Sequence, residues 1–337
     1  MEGMLIICFG AGNERMENIE NLMERTNTAY YSGRGKNIYH DFKTFAASRK
    51  LGKACAIEFL ERAQKTEGEL RVYEFGVGDG CFAGNFLESL EKMDSAVAKR
   101  VSYVLWDISK KMLDGAMEKL HGHPVECICE SAENLSGMKE AFWVRGNEIL
   151  DDIPARVFLK KGEKIYEVGW NNGEFAAWEE PGAPAEVKER MQEAPEGYWV
   201  PVNLRAKNIV ERWRERVVQG GGISVFEYGF YSNKEMVGTT PEIWNDSVVR
   251  EYGGQYTVDV DFGWLERRCG GNVERQDDFV RRSLGEEVFA VETERLDYLG
   301  AKEIEGKRKL LEKEGYDIEL LKRGAEKSPF YHYAWLR

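Results

Sequence analysis

The chain has 337 residues, of which 42% are hydrophobic and 31% charged, a composition typical of globular proteins that argues against long disordered regions. This length predicts two structural units or one enlarged α/β domain with insertions. The formal net charge is −12, with 47 basic against 59 acidic side chains, which disfavours nucleic acids and anionic membranes as partners. A basic protein or peptide, or a neutral small molecule, suits this charge better.

The cysteines and the first residues bear on the cellular compartment. Six cysteines are scattered through apolar or helical stretches, without the dense spacing of small secreted domains. The apolar residues 4–9 lack a basic segment before them and are too few to span a bilayer. We therefore expect a cytoplasmic protein without a signal peptide, a lipid anchor or a transmembrane helix.

Residues 1–69 predict an amino-terminal helical cap that includes a lid. Apolar residues recur at helical spacing between residues 14 and 29, and a second helix is predicted over residues 48–65. The intervening segment 30–36 is rich in tyrosine and glycine, which predicts a loop.

Residues 70–156 predict the first half of the main domain. Strands alternate here with helices: the strands are at 70–75, 101–106, 125–129 and 141–147, and the helices are at 82–92 and 110–120. This alternation predicts a doubly wound, Rossmann-like α/β sheet of parallel strands, with ligands bound at the carboxyl ends of the strands.

The remaining chain predicts an insertion and then the second half of the same domain. Residues 157–205 have short strands and turns typical of a small α+β segment, and Asn171-Asn172-Gly173 is a hairpin signal within it. The main domain resumes over residues 206–337, with a glycine turn predicted at 220–222 ahead of a buried strand. A loop at 231–256 is expected to cover the substrate site.

A glycine-rich loop follows the first strand of the main domain, where the chain reads Glu74-Phe75-Gly76-Val77-Gly78-Asp79-Gly80. Glycine has no Cβ, so backbone N–H groups can approach a ligand and positive φ angles cost little. A dinucleotide-binding G-x-G-x-x-G sequence would place its third glycine at position 81, where Cys81 stands instead. The observed pattern, an acidic residue before Gly76, Gly78 and Gly80, is the one that methyltransferases use for S-adenosylmethionine.

Acidic residues near this loop suit that cofactor. S-adenosylmethionine carries a sulfonium and an ammonium but no pyrophosphate, so a carboxylate such as Glu74 attracts it. Asp107, at the end of the next strand, is expected to accept hydrogen bonds from the ribose hydroxyls. Glu130 or Glu133, after the third strand, is expected to reach the adenine edge.

These features resemble the MidA-like S-adenosylmethionine methyltransferases, a family that includes the mitochondrial complex I assembly factor that methylates a protein arginine. The resemblance covers most of the chain and implies a class I methyltransferase fold, S-adenosylmethionine as cofactor and a protein arginine as substrate. Besides the glycine loop it rests on ordered motifs, namely Tyr30-Tyr31-Ser32, Asp41-Phe42-Lys43-Thr44, Asp107-Ile108-Ser109, the segment 146–154, Glu227-Tyr228-Gly229, Gly238-Thr239, Asp259-Val260-Asp261-Phe262 and Gln276 through Gly285.

The resemblance also adds candidate cofactor-binding residues. Aromatic and acidic side chains of the amino-terminal motifs suit a lid over a sulfonium and its amino group, although packing explains Tyr30 and Phe42 equally well. The candidates added in this way are Tyr31, Asp41, Phe42, Thr44, Ile108 and Asn147. The sequence departs from the family pattern at His40, at Ala46-Ala47-Ser48 and at Glu227, which weakens the assignment of the substrate more than that of the cofactor.

Three carboxylates after the fourth strand are the candidate catalytic residues. A guanidinium acceptor has a pKa above about 12, so carboxylates must hold it and draw charge before a nitrogen lone pair can attack. Glu148, Asp151 and Asp152 lie where the strand 141–147 ends. The alternative is that Asp151 and Asp152 only cap a turn before Pro154.

Other sites and functions are less well supported. His121, His123, Cys127 and Cys129 suggest a metal site, but alternate cysteines in a short apolar strand are more simply explained by one buried face, so no metal is expected. A small-molecule methyltransferase and a non-catalytic assembly or binding factor remain alternatives to a protein arginine methyltransferase. The first of these alternatives predicts a closed apolar pocket, whereas a protein substrate predicts an open acidic groove.

Overall fold

The structure of the protein is a computed structural model, and it describes residues 6–7, 16–34, 44–292, 296–322 and 329–337. Up to residue 147 the elements are β1 (Ile6–Ile7), β2 (Glu17–Asn18), α1 (Ile19–Arg34), a 3-10 helix (Phe45–Ala47), α2 (Arg49–Ala63), β3 (Leu70–Phe75), α3 (Cys81–Met93), α4 (Ser95–Ala98), β4 (Val101–Asp107), α5 (Lys110–Lys119), β5 (Val125–Cys129) and β6 (Ala141–Asn147). The strands and helices predicted for the first half of the main domain are thereby confirmed.

After residue 147 the chain continues with short strands, then a long central strand and a mixed carboxyl-terminal part. The elements are β7 (Arg156–Lys161), β8 (Lys164–Asn171), β9 (Glu174–Glu179), α6 (Ala185–Glu193), β10 (Trp199–Val202), α7 (Leu204–Arg216), β11 (Val217–Phe230), α8 (Asn233–Met236), α9 (Pro241–Val248), β12 (Val249–Tyr252), β13 (Gln255–Val258), β14 (Val260–Asp261), α10 (Phe262–Cys269), β15 (Asn272–Arg275), α11 (Gln276–Leu284), β16 (Val288–Glu292), β17 (Leu296–Gly300), α12 (Ala301–Gly306), α13 (Arg308–Lys313), α14 (Ile318–Lys322) and β18 (Phe330–Leu336).

The chain forms two compact units, each assembled from three separate stretches. The first unit comprises Met1–Gly33, Glu148–Glu211 and Glu227–Gly270, and the second comprises Arg34–Asn147, Arg212–Phe226 and Gly271–Arg337. The chain crosses from one unit to the other at five points, which include the Asn147–Glu148 peptide bond and the Phe226–Glu227 peptide bond inside β11. The four-part division predicted from the sequence stays a prediction.

The second unit contains the predicted doubly wound sheet. Its strand order is β15-β18-β11-β6-β3-β4-β5, and the five strands from β11 to β5 are parallel. Every residue of β6 is buried, as expected for a central parallel strand with both faces covered. At the other end, β18 runs antiparallel to β11. The Arg337 N–H donates to the Gly221 carbonyl oxygen, and the Ser224 hydroxyl contacts His332 Nε2, so residue numbers rise along one strand while they fall along the other.

The glycines at 220–222 do not form the turn that the sequence predicts. They lie inside β11, which pairs with β6 through a bulge between Val217 and Gly222. A Cβ on Gly221 would lie 2.1 Å from the Phe142 carbonyl oxygen. These glycines therefore permit a close approach of two backbones within the sheet, which is the usual meaning of glycine inside a strand.

The prediction of a buried cysteine face on β5 is also wrong. Cys127 and Cys129 do lie on one face of the strand, but both are exposed. The reason is that β5 is the edge strand of its sheet. Among the described residues no group of three or more histidine, cysteine or carboxylate side chains could hold a metal ion.

The first unit contains a second sheet with the order β1-β9-β8-β7-β10, and β2 also pairs with β8. The predicted hairpin is confirmed: β8 and β9 are antiparallel and joined through Asn172 and Gly173, both at positive φ. The core of this unit combines these strands with α1, whose buried residues recur at helical spacing and include Tyr30. That burial explains why α1 continues through the start of the predicted loop 30–36.

Residues 231–256 are not the loop that the sequence predicts. They contain α8, α9, β12 and the first two residues of β13. Pro241 stands at the first position of α9, where its missing N–H costs nothing, and Trp244 and Val248 bury one face of this helix. Within the described part of the chain, no helix is long and apolar enough to cross a membrane.

Candidate functional site

The glycine loop of the second unit has the geometry of a ligand cradle. Gly76, Gly78 and Gly80 all have positive φ, at 70°, 50° and 78°, which side chains with a Cβ rarely adopt. A Cβ on Gly80 would lie 3.0 Å from the Cα of Ala116, so glycine is needed there for packing as well. Gly80 precedes α3, and the loop therefore presents the positive end of a thirteen-residue helix.

Asp107, at the carboxyl end of β4, holds this loop in place. Its Oδ2 accepts a hydrogen bond from the Val77 backbone N–H at 3.1 Å, and its Oδ1 accepts one from the Ser109 N–H at 2.7 Å. Burial raises the pKa of Asp107 to about 6, although the two N–H groups favour the ionised form. Each carboxylate oxygen retains a further lone pair, which a ribose hydroxyl could use.

Two neighbours of Asp107 have properties that suit a nucleoside. The Ile108 side chain is 54% exposed, although large aliphatic side chains are usually buried. Glu130 follows β5, and its Oε2 is buried without a hydrogen-bond partner among the described residues. The Ile108 side chain suits the apolar face of an adenine ring, and Glu130 Oε2 suits its amino group as a hydrogen-bond acceptor.

Glu74 lies in a buried cluster beneath the glycine loop. It is fully buried, its carboxylate accepts a hydrogen bond from the Tyr103 hydroxyl, and its Oε2 lies 3.7 Å from Arg145 Nε. Burial raises the pKa of Glu74 to about 7, despite the opposing effect of Arg145. The Arg145 guanidinium in turn lies 3.7 Å from the ring centre of Phe82. No motif in the sequence indicated Arg145, because it is a single arginine inside an apolar strand.

The remaining cofactor candidates fall in different places. In the second unit the Asn147 amide donates to the Thr44 hydroxyl at 3.3 Å, so these two residues are brought together. In the first unit the Tyr31 hydroxyl donates to Asp152, which associates Tyr31 with the candidate catalytic carboxylates. Asp41 and Phe42 lie outside the described residues.

The candidate catalytic segment of the first unit begins with an unusual backbone. Glu148 has a φ of 53°, one of two positive values among the described non-glycine residues. A left-handed conformation at such a residue costs about 1–3 kcal/mol and is found mainly at functional sites. The following turn is fixed by Glu227, whose Oε1 accepts hydrogen bonds from the N–H groups of Ile149 and Leu150 at 2.8 and 2.7 Å.

Asp151 is the most deeply buried of the three candidate catalytic carboxylates. It is 3% exposed, and its Oδ1 has no hydrogen-bond partner among the described residues. Burial raises the pKa of Asp151 to about 7, Glu148 adds to this increase, and Arg250 opposes it. Burial and the neighbouring Asp151 likewise raise the pKa of Glu227 well above its ordinary range.

One arginine faces these carboxylates from β12. Arg250 Nη2 donates to Asp259 Oδ1 at 2.5 Å, and the guanidinium carbon lies 4.8 Å from the ring centre of Tyr228. Burial raises the pKa of Asp259, and Arg250 lowers it. Glu227, Tyr228 and Asp259 belong to motifs shared with the MidA-like family, whereas no motif in the sequence indicated Arg250.

The cradle and its surroundings fit S-adenosylmethionine. Among the described residues, no atom outside its chain neighbours lies within 4 Å of a Cβ placed on Gly78. Glu74 Oε1 and Glu130 Oε2 are buried acceptors without partners among the described residues. Acceptors of this kind complement the ammonium, the sulfonium and the adenine amino group, whereas they would repel a pyrophosphate.

Comparison with known proteins gives the family. Residues 53–273 match the family described as "Putative S-adenosyl-L-methionine-dependent methyltransferase". A search of curated protein sequences finds no match. Among solved structures, a superfamily member from Burkholderia thailandensis bound to S-adenosyl-homocysteine is similar, with a TM-score of 0.65, 20% identity and coverage of 96% of this chain and 88% of that chain.

A second structure supports the same fold. The native structure of an uncharacterized protein of that superfamily, also from Burkholderia thailandensis, has a TM-score of 0.64 and 20% identity, with coverage of 96% and 87%. These similarities confirm the predicted class I methyltransferase fold. The family match extends over more than half of the chain and includes the glycine loop, Asp107 and Glu148. The chain therefore belongs to the family of S-adenosyl-L-methionine-dependent methyltransferases and is an enzyme that uses this cofactor.

Proposed function

We propose that the enzyme methylates a guanidinium nitrogen of an arginine side chain in a protein substrate. The observation that carries this proposal is an excess of negative charge in one part of the first unit. The carboxylates concerned are Glu148, Asp151, Glu227 and Asp259, together with Asp152 beside Tyr31. Among the described arginines, Arg250 pairs with Asp259 and opposes the raised pKa of Asp151.

The electrostatics favour a cationic acceptor over a neutral one. Buried carboxylates are costly unless cations or hydrogen-bond donors compensate them, and burial raises the pKa of Asp151 to about 7 although Arg250 opposes this shift. A guanidinium would bring a positive charge and several N–H donors in a planar arrangement that matches carboxylates. A neutral hydroxyl would bring neither the charge nor enough donors.

The residues have distinct roles in this proposal. S-adenosylmethionine, when bound, supplies a methyl group on a positively charged sulfur. Glu148 holds the acceptor guanidinium, because its side chain is half-buried and its backbone is constrained. Asp152 and Tyr31 orient the guanidinium from one side. One proton leaves the acceptor for each methyl group transferred, and a carboxylate with a pKa near 7, such as Asp151, is suited to take it.

The motif resemblance to MidA-like methyltransferases supports the same substrate. In particular, Asn147 and Glu148 with Asp151 and Pro154 stand in the order of that family's most distinctive segment. The net charge of −12 also suits a basic protein partner.

The test is to identify what the enzyme methylates. Purified enzyme is incubated with methyl-labelled S-adenosylmethionine and a cell lysate, and the labelled proteins are mapped by mass spectrometry. We expect methylarginine, which should be lost with Glu148→Gln and kept with Asp246→Asn, a control that changes an exposed acid on α9. Label found only in small molecules, or only on lysine, would contradict the proposal.

A further inference from the structure

Arg145 lies inside the buried strand β6 and contacts the elements on both sides of the glycine loop. Its side chain is 2% exposed, and it stands opposite Glu74 where β6 pairs with β3. Arg145 Nε lies 3.7 Å from Glu74 Oε2, two residues before Gly76. The guanidinium carbon lies 3.7 Å from the ring centre of Phe82 and 4.3 Å from that of Phe86, both in α3. One side chain therefore contacts the strand that precedes the loop and the helix that follows it.

Aromatic rings rather than hydrogen bonds hold the guanidinium. Nη1 and Nη2 of Arg145 are buried and have no hydrogen-bond partner in the described part of the chain. A guanidinium is planar and weakly hydrated, so it can lie against aromatic faces. Burying this cation with the carboxylate of Glu74 is nevertheless costly, whereas apolar side chains of similar volume would fill the space without that cost. The charge of Arg145 therefore points to a role beyond packing.

Glu74 is held at one of its two oxygens. The Tyr103 hydroxyl and Arg145 both contact Oε2, whereas Oε1 has no hydrogen-bond partner among the residues that the structure describes. Tyr103 extends from β4 and Arg145 from β6, the two strands that flank β3 in the sheet. The carboxylate is thus fixed from both neighbouring strands, close to the point where β3 ends and the loop begins.

We propose that Arg145 is a positioning residue for the cofactor site: it bridges Glu74 and the first two turns of α3 and thereby holds the glycine loop in the conformation that binds S-adenosylmethionine. Arg145 acts through Glu74 and the two phenylalanines and need not touch the cofactor. The three glycines of the loop have positive φ, and glycine loses more conformational entropy on ordering than any other residue. A bridge that orders the loop beforehand reduces the cost of binding. The inference concerns the cofactor alone, so it does not depend on which acceptor is methylated.

A small set of variants separates this bridge from general stability. Arg145→Met keeps an unbranched chain between the rings and removes the charge, whereas Arg145→Lys keeps the charge. Glu74→Gln removes the charge of the other partner, and the double variant Glu74→Gln/Arg145→Met removes both charges. Val144→Ala is the matched control, because Val144 is the buried neighbour of Arg145 and faces the other side of β6.

The experiment measures the binding of S-adenosyl-homocysteine by calorimetry and unfolding in urea by circular dichroism. We expect about tenfold weaker binding in Arg145→Met, as for the loss of one charge-assisted contact, and a smaller loss in Arg145→Lys. Glu74→Gln should also weaken binding. The double variant should bind no more weakly than the weaker single variant, because residues that act as one unit are not additive. Val144→Ala should lower the stability and leave the affinity unchanged.

Three results would overturn the inference: an affinity of Arg145→Met within twofold of wild type, additive losses in the double variant, or an equal loss of affinity in Val144→Ala. In the last case destabilisation alone would explain the weaker binding. Arg145→Met leaves Glu74 as an unpaired buried charge and can fail to fold for that reason, whereas the double variant avoids this. Glu74→Gln and the double variant should then bind alike, and weaker binding by the double variant would contradict the role of Arg145.

Discussion

Replacing Asp107 by asparagine tests the cofactor site most directly. The two carboxylate oxygens accept backbone N–H groups of Val77 and Ser109 at 3.1 and 2.7 Å, and asparagine offers only one acceptor oxygen. Its NH₂ group must then face one of the two N–H donors. A hydrogen bond to a charged group contributes about 1.5–3 kcal/mol, so a loss of about 2 kcal/mol in the bound state corresponds to roughly 30-fold weaker binding.

The assay is calorimetry of S-adenosyl-homocysteine binding to wild type, Asp107→Asn and a control, Asp114→Asn, which changes an exposed acid on α5. If the ionised carboxylate binds the ribose, the pKa of about 6 for Asp107 means that wild-type affinity should fall as the pH decreases through 6. Asp107→Asn should lack this decrease. Affinity within twofold of wild type for Asp107→Asn would refute the assignment of Asp107 to the ribose.

Three further predictions concern the acceptor, the loop and metal ions. Glu148→Gln should lower kcat by about a hundredfold and change cofactor affinity only a few-fold, measured by steady-state kinetics and calorimetry, and near-normal turnover would exclude its role. Gly80→Ala should lower the free energy of unfolding in urea by about 1–3 kcal/mol, because its φ is 78° and Ala116 is 3.0 Å away, whereas Gly84→Ala in α3 should not. EDTA should leave the rate unchanged, because methyl transfer needs alignment rather than a metal ion; a loss of activity that zinc or magnesium restores would contradict this.

Local sequence patterns were sufficient for the parallel half of the fold. The strands β3 and β6 have the predicted bounds, because buried parallel strands are apolar runs that end abruptly at polar or glycine residues. The edge strand β5 also has its predicted bounds. The glycine loop was recognisable for the same reason, since its spacing reflects backbone conformations that only glycine adopts easily. Ligand sites of this fold lie at the carboxyl ends of the strands, so Asp107 and Glu148 could be found from the strand ends alone.

Predictions failed where the decisive contact lies far away in the sequence. The glycines at 220–222 have the composition of a turn, but the backbone of Phe142 requires them inside a strand. Cys127 and Cys129 share a face as predicted, and only the position of β5 at the sheet edge exposes them. Local sequence does not say which strand is at an edge or which backbone approaches a glycine.

The sequence by itself thus determined the cofactor, the order of the central strands along the chain and the carboxylates that follow them. Only the tertiary structure showed that Arg145 compensates Glu74 and that Arg250 compensates Asp259. Both arginines interact with carboxylates that belong to recognisable motifs, yet neither arginine has a motif of its own. The physical reason is that a buried charge needs a partner close in space, and folding can supply that partner from any part of the chain.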